Sequence, residues 1–78
     1  MARDYYAEAR AICEELQAAG RDALAEDLLE ALEGGSTATE ILMGLRWNLQ
    51  KALAVEVDLG RARKKMESLK EGLDQVLK

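Results

Sequence analysis

The side chains that could support catalysis are few in this chain. The sequence holds one cysteine, Cys13, and no histidine. Without histidine, Ser-His-Asp and Cys-His arrangements are excluded and no ordinary general base exists near neutral pH. A zinc site is not expected, because the chain has neither a histidine nor a second thiol, and the Glu-x-x-His pairs of di-iron bundles cannot exist without histidine. Cys13 lies beside an apolar row and next to Glu14, and both features disfavour the thiolate, so we expect an inert core thiol rather than a redox-sensitive one.

Paired carboxylates are the second candidate for chemistry. Glu14 with Glu15, or Glu26 with Glu30, could hold a hard cation weakly. On the outer face of a helix such pairs are usually solvated, so we expect no metal and no cofactor. The Gly-Gly-Ser-Thr segment at 34–37 lacks the lysine and the spacing of a phosphate-binding loop.

A basic cluster towards the end of the chain raises the possibility of nucleic-acid binding. It comprises Arg61, Arg63, Lys64 and Lys65. The second and third predicted helices, joined by 34–37, are also similar in outline to a helix-turn-helix. However, the would-be recognition helix opens with Thr39, Glu40 and Ile41, and the chain has a net charge of −4. Both features are opposite to those of a nucleic-acid binder, which is the weakest alternative.

The most informative segment, at 38–54, predicts a helix that is apolar on two opposite faces. At about 100° per residue, one stripe comprises Ala38, Ile41, Leu42, Leu45, Leu49 and Ala52. Met43, Trp47 and Ala54 lie roughly 180° away, around Gln50. Either neighbouring helices cover this second face and Trp47 belongs to the core, or the face is exposed for another molecule.

The exposed alternative defines a candidate interface, which we call the strip. The strip comprises Met43, Arg46, Trp47, Gln50 and Ala54. Trp, Met and Arg are enriched at interface centres, and a tryptophan anchor can dominate the binding energy. Glu26, Asp27 and Glu30 on the second helix, which we call the acidic edge, would steer a charged partner.

The elements that must position these residues are all helical. Proline and phenylalanine are absent, and good helix formers dominate. Four helices are expected, at about 3–19, 22–33, 38–54 and 59–77. Gly20 ends the first helix and the two glycines at 34–35 end the second. Thr37 and Glu40 form a capping box for the third, with Ser36 as an alternative cap. Asp58 caps the fourth after a connection at 55–58, unless the third helix continues through that connection. Short connections favour an antiparallel four-helix bundle that forms one domain, 1–78. A more open arrangement, in which the first two helices form a hairpin over the third, fits the same pattern equally well.

The fourth helix carries a heptad-like seam that offers an alternative role. The seam comprises Leu59, Ala62, Met66, Leu69, Leu73 and Val76, and two copies of the chain could form a structural homodimer along it.

Charge is distributed unevenly between the two halves of the chain. Residues 1–40 hold three bases and ten acids, whereas residues 41–78 hold eight bases and five acids. We therefore expect the acidic second helix to lie beside the basic fourth.

These features favour a non-enzymatic protein–protein interaction module, of the inhibitor or immunity type or an adaptor, that acts through the strip. Its partner would be another protein or a second copy of the chain. A lone cysteine and an apolar run of only 41–45 favour the cytoplasm and no membrane association.

Overall fold

The computed structural model describes residues 3–55 and 58–77, and it confirms an all-α, antiparallel four-helix bundle. The helices are α1 (Tyr5–Ala18), α2 (Asp22–Gly34), α3 (Ala38–Val55) and α4 (Ala62–Val76). Each helix packs against its neighbours in the chain, and α1 also packs against α4, which closes the ring. The Nε of Arg21 donates to the carbonyl oxygen of Asp58 at 3.1 Å. This bond places the α1–α2 and α3–α4 connections at the same end of the bundle.

Both ends of the first helix are defined by local capping interactions. Asp4 caps the N-terminus, where its Oδ1 accepts a hydrogen bond from the Ala7 amide at 3.1 Å. At the C-terminus Gly20 has a φ of +78°, and the Gly20 and Arg21 amides donate to the Gln17 and Leu16 carbonyls. This is a Schellman motif, and it confirms that Gly20 ends the helix.

The predicted capping box before α3 is present in part: the bond to Thr37 forms, but the Glu40 carboxylate accepts from a different residue. Thr37 Oγ1 accepts from the Glu40 amide at 3.2 Å, as a capping box requires. The Glu40 carboxylate accepts from the amide and the hydroxyl of Ser36, at 3.2 and 2.9 Å, and not from the Thr37 amide. The glutamate thus stabilises the residue before the cap, which holds the α2–α3 turn against the start of α3.

The fourth helix begins later than the sequence predicts, and Asp58 does not cap it. Gly60 adopts a left-handed φ of +59°, so residues 59–61 form a turn and the helix begins at Ala62. Leu59, expected in the helix, is nevertheless buried in the core. The expected connection at 55–58 is only partly seen: Val55 ends α3, and residues 56–57 lie outside the described ranges.

A single cluster of buried apolar side chains fills the space between the helices. The fully buried large side chains are Ile12, Leu16, Leu28, Leu45, Leu49, Leu59, Met66, Leu69 and Leu73. Most of the α4 seam therefore belongs to the core of one chain, and the exception is Val76, which is exposed. Ala38, predicted to face inward, is also exposed, because it lies in the first turn of α3 at the edge of the bundle.

The expected pairing of the acidic second helix with the basic fourth is wrong. In the ring order α1–α2–α3–α4, these two helices lie across the diagonal, and each packs against α1 and α3 instead. Short connections enforce this order because they place successive helices side by side.

Candidate interaction surface

The third helix has one buried face and one exposed face. Leu45, Leu49 and Ala52 lie in the core, whereas residues Trp47 and Met43 are 61% and 49% exposed. The alternative that buries Trp47 in the core is therefore wrong. Since α2 and α4 cover the two flanks of α3, the ring closes over its inward face and leaves the outward face in solvent.

A cation is held against the ring of Trp47. The Nζ of Lys51, one turn further along α3, lies 4.5 Å from the ring centroid and 3.8 Å from Asp27 Oδ2 on α2. The ammonium thus interacts with the π face and with a carboxylate at once, although each contact is weak at an exposed site. The geometry shows that the space between Trp47 and α2 accommodates a positive charge.

An open groove runs between α2 and α3 beside Trp47. Its lining residues are Asp27, Glu30, Ala31, Gly34, Gly35, Glu40, Gly44, Trp47, Asn48 and Lys51. Gly44 faces Ala31, and a Cβ at Gly44 would lie 3.3 Å from the Ala31 Cβ, so the two helices approach closely along a floor of small residues. The walls hold three carboxylates and one base, which gives the groove an acidic character.

The other side of the strip borders α4. A second groove there is lined by Ala38, Thr39, Leu42, Met43, Arg46, Val76 and Leu77. Arg46 lies 3.9 Å from Asp74 Oδ1, and Asp74 Oδ2 accepts from Lys70 at 2.8 Å. Arg46 is therefore held towards α4, while Met43 and Val76, which is 51% exposed, form an apolar surface next to it.

The remaining strip residues and the acidic edge are accessible. Gln50 and Ala54 are exposed on α3, and the helical period places them on the same face as Met43 and Trp47. Glu26 and Glu30 are exposed on α2 and border a further groove with Asp27. Among the residues that the structure describes, no ion pair ties Glu26 or Glu30 to a base.

Sequence reasoning missed two residues of this surface, Lys51 and Val76. The signal for Lys51 was present, because a residue four positions after Trp47 lies next to it on a helix. Val76 fitted the heptad seam by spacing, but it is the last residue of α4, and there α3 no longer covers it.

Cys13 is a core residue, as predicted. Its side chain is buried, and its Sγ donates to the carbonyl oxygen of Ala25 at 3.6 Å. Burial raises the pKa of the thiol, and Glu14 raises it further, whereas Arg10 and a backbone hydrogen bond lower it. The thiolate is therefore disfavoured near neutral pH.

Some residues of the other candidate sites form exposed ion pairs. Lys65 binds Glu15 across the α1–α4 interface at 2.9 Å, and Arg63 lies 3.6 Å from Glu67 within α4. Over 3–55 and 58–77, no group of three or more potential metal ligands lies close together. Across those same residues, none of the helices combines the length and the apolar character that crossing a bilayer requires.

Comparison of the chain with models of protein families, with curated proteins and with solved structures finds no match.

Proposed function

We propose that this chain is a non-enzymatic protein–protein interaction module that acts through the strip on α3. The observation that carries the proposal is the exposure of Trp47 and Met43 on a helix whose opposite face contributes Leu45, Leu49 and Ala52 to the core. Exposing a large aromatic side chain in a small domain forfeits burial energy that the fold could use, so its presence at the surface favours a binding role. Tryptophan and methionine are also the residue types that dominate the centres of protein interfaces.

An inhibitor or immunity protein, or an adaptor, is the class that fits best. The acidic edge lies beside the strip, and a carboxylate-rich surface speeds association with a basic protein and can cover a basic active site. Catalysis by the chain itself finds no support, because its single thiol is buried with a raised pKa and histidine is absent. The single cysteine, which has no second thiol in the chain to pair with, is compatible with a reducing cytoplasm.

The two alternatives have weaker support. A homodimer along the α4 seam would need Leu69, Leu73 and their neighbours at the surface, yet the bundle buries them. A second copy bound through the strip stays compatible with the proposal. Nucleic-acid binding would use the basic cluster on α4, whose Lys65 and Arg63 lie close to carboxylates.

Site-specific photo-cross-linking tests the proposal. The photoreactive residue p-benzoylphenylalanine replaces Gln50 in the strip or, as the matched control, Gln17, which is exposed on α1. Irradiation in the cells that make the protein is expected to give a discrete protein adduct from position 50 and none from position 17. Trp47→Ala should abolish the adduct, whereas Tyr6→Ala, which removes an exposed aromatic outside the strip, should not. Identical adducts from both positions, or no adduct from position 50, would refute the proposal.

A further inference from the structure

The α2–α3 groove has the chemistry to select one class of partner. Its carboxylates, Asp27, Glu30 and Glu40, outnumber its single base, Lys51. On the outer face of α2 next to it, Glu26 and Glu33 add negative charge, and α2 contains no basic residue. An occupant that brought carboxylates or phosphates would meet like charge along the whole wall.

The apolar component of the same surface lies at the edge of the groove. Trp47 lines the groove, and Met43 lies one turn before it on the exposed face of α3, where it borders the neighbouring α3–α4 groove. A helix that docks in a groove presents apolar side chains at i, i+3, i+4 and i+7, and Trp47 and Met43 provide an apolar surface about one turn long for such side chains to contact. A matching segment would therefore have an apolar stripe bordered by positive charge.

Lys51 indicates where the positive charge of such a partner would bind. Its ammonium lies between the Trp47 ring and the Asp27 carboxylate, at 4.5 and 3.8 Å. A lysine or arginine from a partner could take the same place, because the Lys51 side chain is 43% exposed and could move aside at little cost.

From this arrangement we propose that the partner presents a basic amphipathic helix, which lies along the α2–α3 groove with its apolar stripe on Trp47 and Met43 and its cations on Asp27, Glu26 and Glu30. This assignment rests on the proposed function, and it adds the chemical class of the partner.

A designed peptide pair tests the assignment on the intact chain. One peptide of about 18 residues combines leucines at positions i, i+3, i+4 and i+7 with lysines elsewhere, and its counterpart carries glutamates in place of the lysines. Because Trp47 is the only tryptophan in the chain, its fluorescence reports binding directly. The lysine peptide is expected to bind and to shift the Trp47 emission to shorter wavelength, and the glutamate peptide is expected not to bind.

Charge-reversal variants locate the binding. Glu26→Lys with Glu30→Lys should weaken the lysine peptide by about tenfold or more in Kd, because two contacts become repulsive. The matched control, Glu14→Lys with Glu71→Lys, makes the same change in net charge at exposed positions on α1 and α4, and it should weaken binding by less than about threefold. Lys51→Ala should strengthen binding by about twofold to fivefold, because it removes the competing cation.

Several outcomes would overturn the assignment. Equal loss in the two double variants would mean general charge attraction, and equal binding of both peptides would mean that charge does not select the partner. A Trp47 emission shift and a doubled mass on concentrating the chain alone would mean that a second copy occupies the strip. If the lysine peptide fails while the Gln50 cross-link still depends on Trp47, the partner class is wrong and the proposed function stands. If both fail, neither stands.

Discussion

Cys13 lies between α1 and α2, where its Sγ donates to the Ala25 carbonyl and its pKa is raised above the ordinary value of 9.0 by burial. In the unfolded chain the thiol ionises at its ordinary pKa, whereas in the folded chain it keeps its proton to higher pH. Between these two pKa values the folded state binds more protons, so stability must fall as pH rises. Below the unfolded pKa the contribution of Cys13 is complete.

The prediction for Cys13 compares the pH dependence of stability in the natural chain and in Cys13→Ala. The free energy of unfolding of the natural chain should fall more between about pH 7 and about pH 9.5 than that of Cys13→Ala, which has no thiol to ionise. Urea denaturation at the two pH values measures the difference, and the variant is the control for every pH effect that does not involve the thiol. Parallel pH profiles would mean that the thiol titrates alike in both states.

At the scale of the element, the α2–α3 turn contains one glycine that has no room for a side chain. A Cβ at Gly35 would lie 2.6 Å from Ile41 Cγ1 and 3.0 Å from the Ile41 amide nitrogen, whereas a Cβ at Gly34 would meet nothing within 4 Å. Only the second glycine is required by the packing of the turn against the first turns of α3.

The two adjacent glycines therefore provide a matched pair of variants. Gly35→Ala should destabilise the fold by about 1 to 3 kcal/mol, because Ile41 or the backbone must move to accept the methyl group. Gly34→Ala, in the last position of α2, should be neutral or stabilising by up to about 1 kcal/mol through helix propensity. Urea unfolding midpoints measure both effects, and equal shifts would contradict the close contact at Gly35.

Helix existence and most helix ends could be predicted because their causes are local. The apolar period, Gly20 at the end of α1 and the Thr37 cap all depend on residues within one or two turns. The start of α4 was predicted too early, because Leu59 is a typical helix residue and Asp58 is a typical helix cap. Their conformation instead depends on the turn at Gly60 and on the bond from Arg21, which is distant in sequence.

The sequence could predict which residues share the candidate interaction surface, but it could not predict whether that surface is exposed to solvent. Periodicity placed Met43, Trp47, Gln50 and Ala54 on one face of a helix, but it could not decide whether a neighbouring helix covered that face. The ring order decides it, since α2 and α4 flank α3 and α1 lies across the diagonal. The position of Lys51 over Trp47 also depends on Asp27 of the neighbouring helix.

For the whole molecule, the ring order of the helices separates the acidic α2 from the basic α4, which the sequence predicts to lie side by side. The acidic α2 faces away from α4, so its outward carboxylates are only weakly compensated, while Lys65 of α4 binds Glu15 of α1. The bundle thus presents an acidic side that borders the exposed tryptophan. Exposed ion pairs add little to stability, and burial of the apolar cluster at the centre has to stabilise the fold.

The last prediction separates the part of α3 that stabilises the fold from the part proposed to bind. Trp47→Ala and Met43→Ala should each change the free energy of unfolding by less than about 1 kcal/mol, because about half or more of each residue is exposed and the contact of Trp47 with Lys51 is weak at an exposed site. Leu49→Ala, on the same helix with a fully buried side chain, should cost about 2 to 5 kcal/mol. Urea denaturation followed by circular dichroism measures all three. If Trp47→Ala were as destabilising as Leu49→Ala, the tryptophan would serve the fold, and loss of a partner in that variant would no longer indicate an interface.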